Sequence, residues 1–453
     1  MTSLAVRGGT VLFPQGWGIS DLVLHKGRIV IGSPDVRSDG ETVDGTCGPV
    51  QCSTGGAGAE RAALSAAVEG EAATAARTDN LAAGGRPVTE LDATGLRVVP
   101  GYVDLQCNGG YGIDLATEPE RLWELGALLP RTGVTAWLPT IVTGPPEFRG
   151  RALAAWRTGP PVGAGPLARP LGLHLEGPFL ARERRGAHPV EWLRAPGVSP
   201  SGAGPSAVPT PADASTSGWS RAGGVALVTL APELPGALDL VRDLVARGVV
   251  VSAGHSSATA AEAEAAIDAG VRWVTHLFNA MVGLHHREPG LIGVALTDER
   301  VRVGLIADGV HVDRRAVALA ARALGDRLTL VTDAVAAPGE AAGSAGATAG
   351  PGTSGPVTVR DRAVRLADGT LAGSVLTLDE AVRNLVAFAG VDLATAVRAA
   401  TSVPAAVLGA GDRGAVVDGA VADLVLLDDA GQVVATVVGG EVAHDRRAEP
   451  AAV

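Results

Sequence analysis

The chain is short of several residue types, and each shortage removes a class of explanation. Cys47, Cys52 and Cys107 are the only cysteines in 453 residues. So few, and an odd number, rule out a disulfide framework, and Cys47 and Cys52 have no His or Cys partners at zinc-ribbon spacing. Mean hydropathy is +0.25, yet no run of roughly 18 uncharged apolar residues occurs, so no membrane span is expected. The opening MTSLAVRGGTVLFPQGWG lacks a charged start followed by an apolar core, and a cytoplasmic protein is the expectation. Aromatics are 3% of the chain, no basic run is present, and 48 acidic residues outnumber 37 basic ones for a net charge of −11. A nucleic-acid partner is therefore disfavoured. Lysine is scarcest of all: Lys26 is the only one.

Hydrophobic residues make up 46% and charged residues 19%, which excludes a wholly disordered chain and allows a sizeable core. Three segments are Gly-, Ala-, Ser- and Thr-rich with weak periodicity: 36–92, 196–223 and 337–356. They read as surface insertions, the first with a short Ala-rich helix near 59–77. Between them lies a series of short apolar runs, among them LRVVPGYVDLQCN, TGVTAWLPTIV, PLGLHLEGPF, GVALVTLAPE, GVVVSAGHS, VRWVTHLFNAM, VRVGLIADGVHV and LTLVTDAVA. These are Leu-rich or β-branched, as parallel strands buried on both faces require, and most are separated by helix-compatible stretches. Eight strand–helix units over 97–340 predict an α/β fold, a (β/α)8 TIM-like barrel.

The flanks, 3–33 and 414–444, are short alternating strands with Gly and Asp turns. Neither is long enough to stand alone, so both termini are expected to combine into one small β-sandwich. The resulting division is 1–95 for the first part of the sandwich with its insertion, 96–410 for the barrel, and 411–453 for the second part and tail. TLDEAVRNLVAFAG and DLATAVRAATSVPAAVLG read as amphipathic helices linking the two.

Polar residues collect at the C-terminal ends of the predicted strands: Gln106, Asn108, Glu176, His255, His276, His311 and Asp333. An active site in a barrel of this kind is built at that end. One carboxylate and two imidazoles, Glu176 with His255 and His276, form a three-ligand set for a catalytic divalent ion. Asp333 can take a proton from activated water and pass it to a leaving group. His188, His311 and Arg287 suit an anionic substrate, because guanidinium matches phosphate or carboxylate bidentately. His285 and His286 are expected in supporting or exposed positions, and His25, His174 and His444 in structural ones.

HLEGPF, GHSSAT, THLFNAM, HREPG, ADGVHV, VTDA and LAGS occur in that order. Together they resemble the N-acetylglucosamine-6-phosphate deacetylases of the amidohydrolase superfamily, from PGYVDLQCNGG at residue 100 to ATSVPAAVLG near 409. The resemblance implies Glu176, His255 and His276 as metal ligands and Asp333 as catalytic acid and base. It implies substrate contacts at Ala187, His188, Asn279, Ala280, Arg287 and His311, and along Leu371, Ala372 and Gly373. It further implies a homodimer whose interface shares the phosphate site. The substrate would be a phosphorylated N-acetyl amino sugar, with no nucleic-acid or membrane partner.

Two departures from the wider superfamily bear on the metal count. Gln106 and Asn108 stand where many amidohydrolases carry His-x-His for a second ion, and both are poor zinc ligands. Lys26 lies far outside the barrel, so no carboxylated lysine can bridge two ions. One divalent ion per chain is expected; zinc suits the Glu-His-His set, and ferrous iron or cobalt fits the same ligands. The competing readings are deacetylation of N-acetylgalactosamine 6-phosphate, a cyclic amidohydrolase such as a dihydroorotase, and a catalytically silent scaffold. The missing lysine and His-x-His argue against the cyclic amidohydrolase, and the presence of all three ligands and the base argues against the scaffold.

Overall fold

The computed structural model describes residues 3–31, 88–196, 216–335, 357–360 and 362–448. Eight parallel strands run through its centre: β1 (Tyr102–Cys107), β2 (Val134–Val142), β3 (Leu173–Glu176), β4 (Val225–Leu230), β5 (Val250–Ala253), β6 (Trp273–Val274), β7 (Arg302–Leu305) and β8 (Leu328–Leu330). Each pairs with the next in parallel register. The ring closes just past the end of β8, where the Asp333 amide donates to the Gln106 carbonyl and the Asn108 amide to the Ala334 carbonyl, both at 2.8 Å. β1, β3 and β4 are buried along their whole length, which is why their sequences read as continuous apolar runs.

Helices α1 (Leu122–Leu128), α2 (Pro146–Thr158), α3 (Ala237–Ala246), α4 (Ala260–Ala269), α5 (Gly290–Thr297) and α6 (Arg314–Leu324) lie between the strands. The barrel expected from sequence is present, with two irregular units. Among the described residues, β3 is followed only by the 3-10 turns Arg182–Arg184 and Val190–Trp192. After β8 comes a three-stranded antiparallel sheet (Val357–Arg360, Ala363–Leu366 and Leu371–Ser374) before α7 (Leu378–Ala389), α8 (Leu393–Ala400) and α9 (Ser402–Val407).

Both ends of the chain contribute to two further sheets. Ser3–Arg7, Leu22–His25, Arg28–Val30 and Val88–Asp92 form a four-stranded one, while Thr10–Phe13, Gly16–Ile19, Arg97–Pro100 and three C-terminal strands form a six-stranded one. Leu4, Leu24, Leu91, Val98, Leu424 and Val437 share one apolar cluster between them. The run LRVVPGYVDLQCN is thus two strands. It divides at Gly101, where Arg97–Pro100 pairs antiparallel with Leu424–Leu427 and the next residues enter the barrel. Glycine is needed there because a Cβ would lie 2.1 Å from Thr135 Oγ1.

The low-complexity reading of 36–92 falls outside the described residues up to 87, as does the Ala-rich helix near 59–77. Its last five residues are instead the strand Val88–Asp92, paired in parallel with Ser3–Arg7. In the segment 196–223, residues 197–215 are outside the described set, but Trp219 is buried against Phe179 and the barrel core. All of 337–356 lies outside it too.

Candidate active site

The C-terminal ends of the strands aim polar side chains into the barrel mouth by an unusual backbone device. His255, His276 and Asp333 all have positive φ, at 49°, 30° and 48°, and so do Phe278 and Ala280. Left-handed backbone costs a non-glycine residue about 1–3 kcal/mol and persists only where the surroundings impose it. His255 and His276 follow their strands by two residues and Asp333 by three.

Three atoms converge there. Glu176 Oε1 lies 3.2 Å from His255 Nε2 and 3.1 Å from His276 Nε2, and the two imidazole nitrogens are 3.1 Å apart. The protonation of His255 is fixed from outside: its Nδ1 lies 2.8 Å from the Arg184 carbonyl. A carbonyl only accepts, so Nδ1 carries a proton, and Nε2 is the nitrogen that presents a lone pair whenever the ring is neutral. A lone pair and a carboxylate oxygen then face each other as two acceptors, an arrangement that a cation satisfies. Tetrahedral zinc ligands at about 2.0–2.1 Å would stand roughly 3.3 Å apart, close to the observed triangle. The residues present therefore fit a divalent ion.

His188, read from sequence as a substrate contact, joins this cluster. Its Nε2 is 3.8 Å from Glu176 Oε2, and its ring meets that of His255 edge-on at 4.6 Å. Glu176, His188 and His255 thus also make a buried group able to hold a cation. The cause is the basic loop after β3, which folds back so that the Ala181 amide donates to the His255 carbonyl.

Gln106 and Asn108 turn their amide nitrogens, not their oxygens, to the carboxylates. Gln106 Nε2 donates to Glu176 Oε1 and to Asp333 Oδ1, each at 3.1 Å, and Asn108 Nδ2 donates to Asp333 Oδ1 at 2.6 Å. At both positions, Gln106 and Asn108, the chain turns hydrogen-bond donors to the carboxylates. Their side-chain oxygens are buried and have no partner among the described residues.

The electrostatics follow from burial and neighbours. Burial would raise the Glu176 carboxyl, but the imidazoles of His255 and His276 outweigh it and hold the group well below the usual carboxylate range. Burial would lower His276, and Glu176 overturns that to raise it. Asp333 is pushed up, first by burial and then by the charge of Glu176. His188 falls to about 3 because it is buried beside His255.

Of the remaining sequence candidates, Leu371–Ser374 lies directly beside Asp333, whose carbonyl accepts from the Ser374 amide at 2.8 Å. Gly373 has φ +90°, and a Cβ there would meet Val335 at 2.4 Å. Asn279 turns its side-chain amide back to the His276 and Leu277 carbonyls, and the Ala280 carbonyl accepts from the Ser256 amide. Ala187 packs against the apolar side of the antiparallel sheet. The His311 side chain is buried and bonded to Asp308. Arg287 is not brought to the cluster: it is exposed, with its guanidinium 2.9 Å from the ring of His286. His174 is structural, linking the Leu105 carbonyl to Thr229 Oγ1 in the barrel core, where burial lowers its pKa to about 4.

Three supporting groups escaped the sequence reading. Besides the Arg184 carbonyl, Glu233 anchors the turn after His255, accepting from Ser256 Oγ at 2.7 Å and from the Ser257 amide at 2.5 Å. Asp104 sits beneath Gln106, accepting from its backbone N–H at 3.1 Å and from Thr332 Oγ1 at 2.6 Å. Only Asp104 left a trace in sequence, as an isolated carboxylate inside an apolar strand.

Comparison with known proteins agrees with this architecture. The amidohydrolase family model matches residues 98–443. An N-acetylglucosamine-6-phosphate deacetylase of Rattus norvegicus is 38% identical over 368 residues, covering 78% of this chain and 85% of the rat protein. An N-acetylgalactosamine-6-phosphate deacetylase of Escherichia coli O157:H7 is also 38% identical, covering 79% of this chain and 89% of its own length. Among solved structures, the Mycobacterium smegmatis N-acetyl-D-glucosamine-6-phosphate deacetylase mutant in complex with N-acetyl-D-glucosamine-6-phosphate superposes with a TM-score of 0.71 at 31% identity, covering 98% of this chain and 100% of that one. With a barrel closed around a Glu-His-His cluster and these relatives, the chain belongs to the amidohydrolase family, in its group of N-acetylglucosamine-6-phosphate deacetylases.

Proposed function

We propose that this chain hydrolyses the N-acetyl group of N-acetyl-D-glucosamine 6-phosphate, giving acetate and D-glucosamine 6-phosphate in amino-sugar catabolism or cell-wall sugar recycling. The observation that carries the reading is the convergence of Glu176, His255 and His276 within 3.2 Å, with Asp333 tied to Glu176 through the amide of Gln106. Glu176, His255 and His276 would hold one divalent ion, zinc in our reading. When bound, such an ion polarises a carbonyl and lowers the pKa of water.

The chain's own groups do the rest. Asp333 Oδ1 is occupied by the Asn108 and Gln106 amides, which leaves Oδ2 without a hydrogen bond among the described residues. Oδ2 takes the proton of the water that attacks the acetyl carbon, and then delivers it to the sugar nitrogen as the C–N bond breaks. A carboxyl pushed upward by burial is suited to both halves of that transfer. The Leu371–Ser374 strand and the Asn279–Ala280 turn border the same mouth and are assigned to the sugar. Arg287, His188 and His311 are assigned to its anionic and polar groups. The exposure of Arg287 fits a role at the neighbouring subunit of a homodimer. Among the described residues no helix is long and apolar enough to cross a membrane.

The E. coli relative, as similar as the rat protein, supports a second reading in which the 4-epimer is the substrate. Turnover of both phosphorylated epimers and of unphosphorylated N-acetylglucosamine, with metal content measured on the same sample, tests both. Higher kcat/KM for the gluco epimer is expected. Preference for the galacto epimer would replace the first reading by the second, and no acetate release from any of the three would overturn both.

A further inference from the structure

His311 is held by a second side chain. Its Nδ1 lies 2.7 Å from Asp308 Oδ2, and both side chains are almost fully buried. The other carboxylate oxygen, Asp308 Oδ1, accepts from the Val310 and His311 amides, each at 2.8 Å. The loop itself is anchored from α7, where Asn384 Nδ2 donates to the Ala307 carbonyl at 2.8 Å and Phe388 closes over Gly309. The two carboxylate oxygens therefore do different work. Oδ1 shapes the turn; Oδ2 addresses the ring.

A carboxylate only accepts, so the proton of this bond sits on Nδ1 of His311. Nε2 has no hydrogen-bond partner among the described residues. The ring is near enough to Asp333 for its charge to lower that carboxyl. Asp308 in turn is held below the usual carboxylate range: burial raises it, and the His311 ring and two backbone amides more than reverse that. The pair has the parts of a carboxylate–imidazole dyad at the rim of the proposed reaction centre, where a carboxylate orients a ring and stabilises its charged form.

We propose that Asp308 is a positioning residue that pins the proton of His311 on Nδ1 and so presents Nε2 to the site. In its protonated form Nε2–H donates to the acetyl oxygen as negative charge develops there; this part rests on the deacetylase reading above. No bond to His311 is made or broken apart from that of its proton.

Asp308→Asn separates the two oxygens. The amide oxygen can still accept from Val310 and His311, while the NH2 group becomes a donor facing Nδ1. Nδ1 must then accept, and the proton moves to Nε2 without the balancing negative charge. The expected result is a fall in kcat of roughly 10²-fold or more, on the scale of general acid–base and oxyanion contributions. KM should change only a few-fold, and bound metal should not change. His311→Asn should cause a similar loss, and the double variant should be no worse than His311→Asn alone. In wild-type enzyme, ring ¹⁵N shifts assigned by their disappearance in His311→Asn should show Nδ1 protonated. That measurement needs neither turnover nor a stable Asp308 variant. Nδ1 found unprotonated in wild type, unchanged kcat in a folded Asp308→Asn, or losses that multiply fully in the double variant would each overturn the assignment. An enzyme inactive on every sugar tested, yet with Nδ1 protonated, would refute the deacetylase reading and leave the positional assignment of Asp308 standing.

Discussion

Replacing Asp333 with Asn should remove the proton acceptor while leaving its frame in place. The backbone bonds of residue 333, to the Gln106 carbonyl and from the Ser374 amide, do not involve the side chain. An Asn oxygen can accept from Asn108 and Gln106 as Asp333 Oδ1 does at 2.6 and 3.1 Å. The left-handed φ of 48° is tolerated by Asn as well as by Asp. The variant also loses the repulsion between Asp333 and Glu176, which helps hold the Asp333 carboxyl above its ordinary range, so Tm should stay level or rise. Loss of a general base typically costs about 10²–10⁴ in rate, or about 3–5 kcal/mol in the barrier. The assay is acetate release under saturating sugar phosphate, with metal content and Tm read on the same preparation. A folded, metal-loaded variant within five-fold of wild-type kcat would refute the role of Asp333. Activity lost together with metal would instead show that Asp333 helps hold the ion.

Metal analysis of protein purified without chelators should find about one ion per chain, because Gln106 and Asn108 present donors, not lone pairs, to the carboxylates; two ions with activity tracking the second would show otherwise. Arg287→Ala should lower kcat/KM for the phosphorylated sugar by tens-fold, on the order of 2–3 kcal/mol, and leave the unphosphorylated sugar equally poor; equal losses on both would make Arg287 structural. Burial pushes the Asp104 carboxyl up to about 7. The folded protein then holds a proton that the unfolded chain releases near pH 4, so this group's contribution to stability falls as pH rises from about 4 to 7 and is constant above. Asp104→Asn should therefore gain stability relative to wild type across that window in urea melts. A difference independent of pH would place the Asp104 titration elsewhere.

The sequence alone determined the barrel and marked the polar residues that gather at its mouth. Continuous apolar runs, most of them ending in polar residues, are a local signal, and Glu176, His255, His276 and Asp333 could be singled out from it as candidates because an ionisable group has few other reasons to end a buried strand. The single lysine and the Gln106–Asn108 pair, set against the superfamily's pattern, led to the expectation of one ion. What sequence could not decide depends on which atoms face which. It could not divide LRVVPGYVDLQCN at Gly101, because both halves are equally apolar and the break is set by Thr135 from the next strand. Nor could it detach Val88–Asp92 from the low-complexity segment before it, since that strand's partner lies at the other end of the segment, in Ser3–Arg7. Likewise, only the closed barrel brought His188 to Glu176 and left Arg287 at the surface. The orientation of the Gln106 and Asn108 amides, the Arg184 carbonyl behind His255 and the Asp308 carboxylate behind His311 were decided there too. Hydrogen-bond direction and burial belong to pairs of distant residues, and tertiary structure alone creates those pairs.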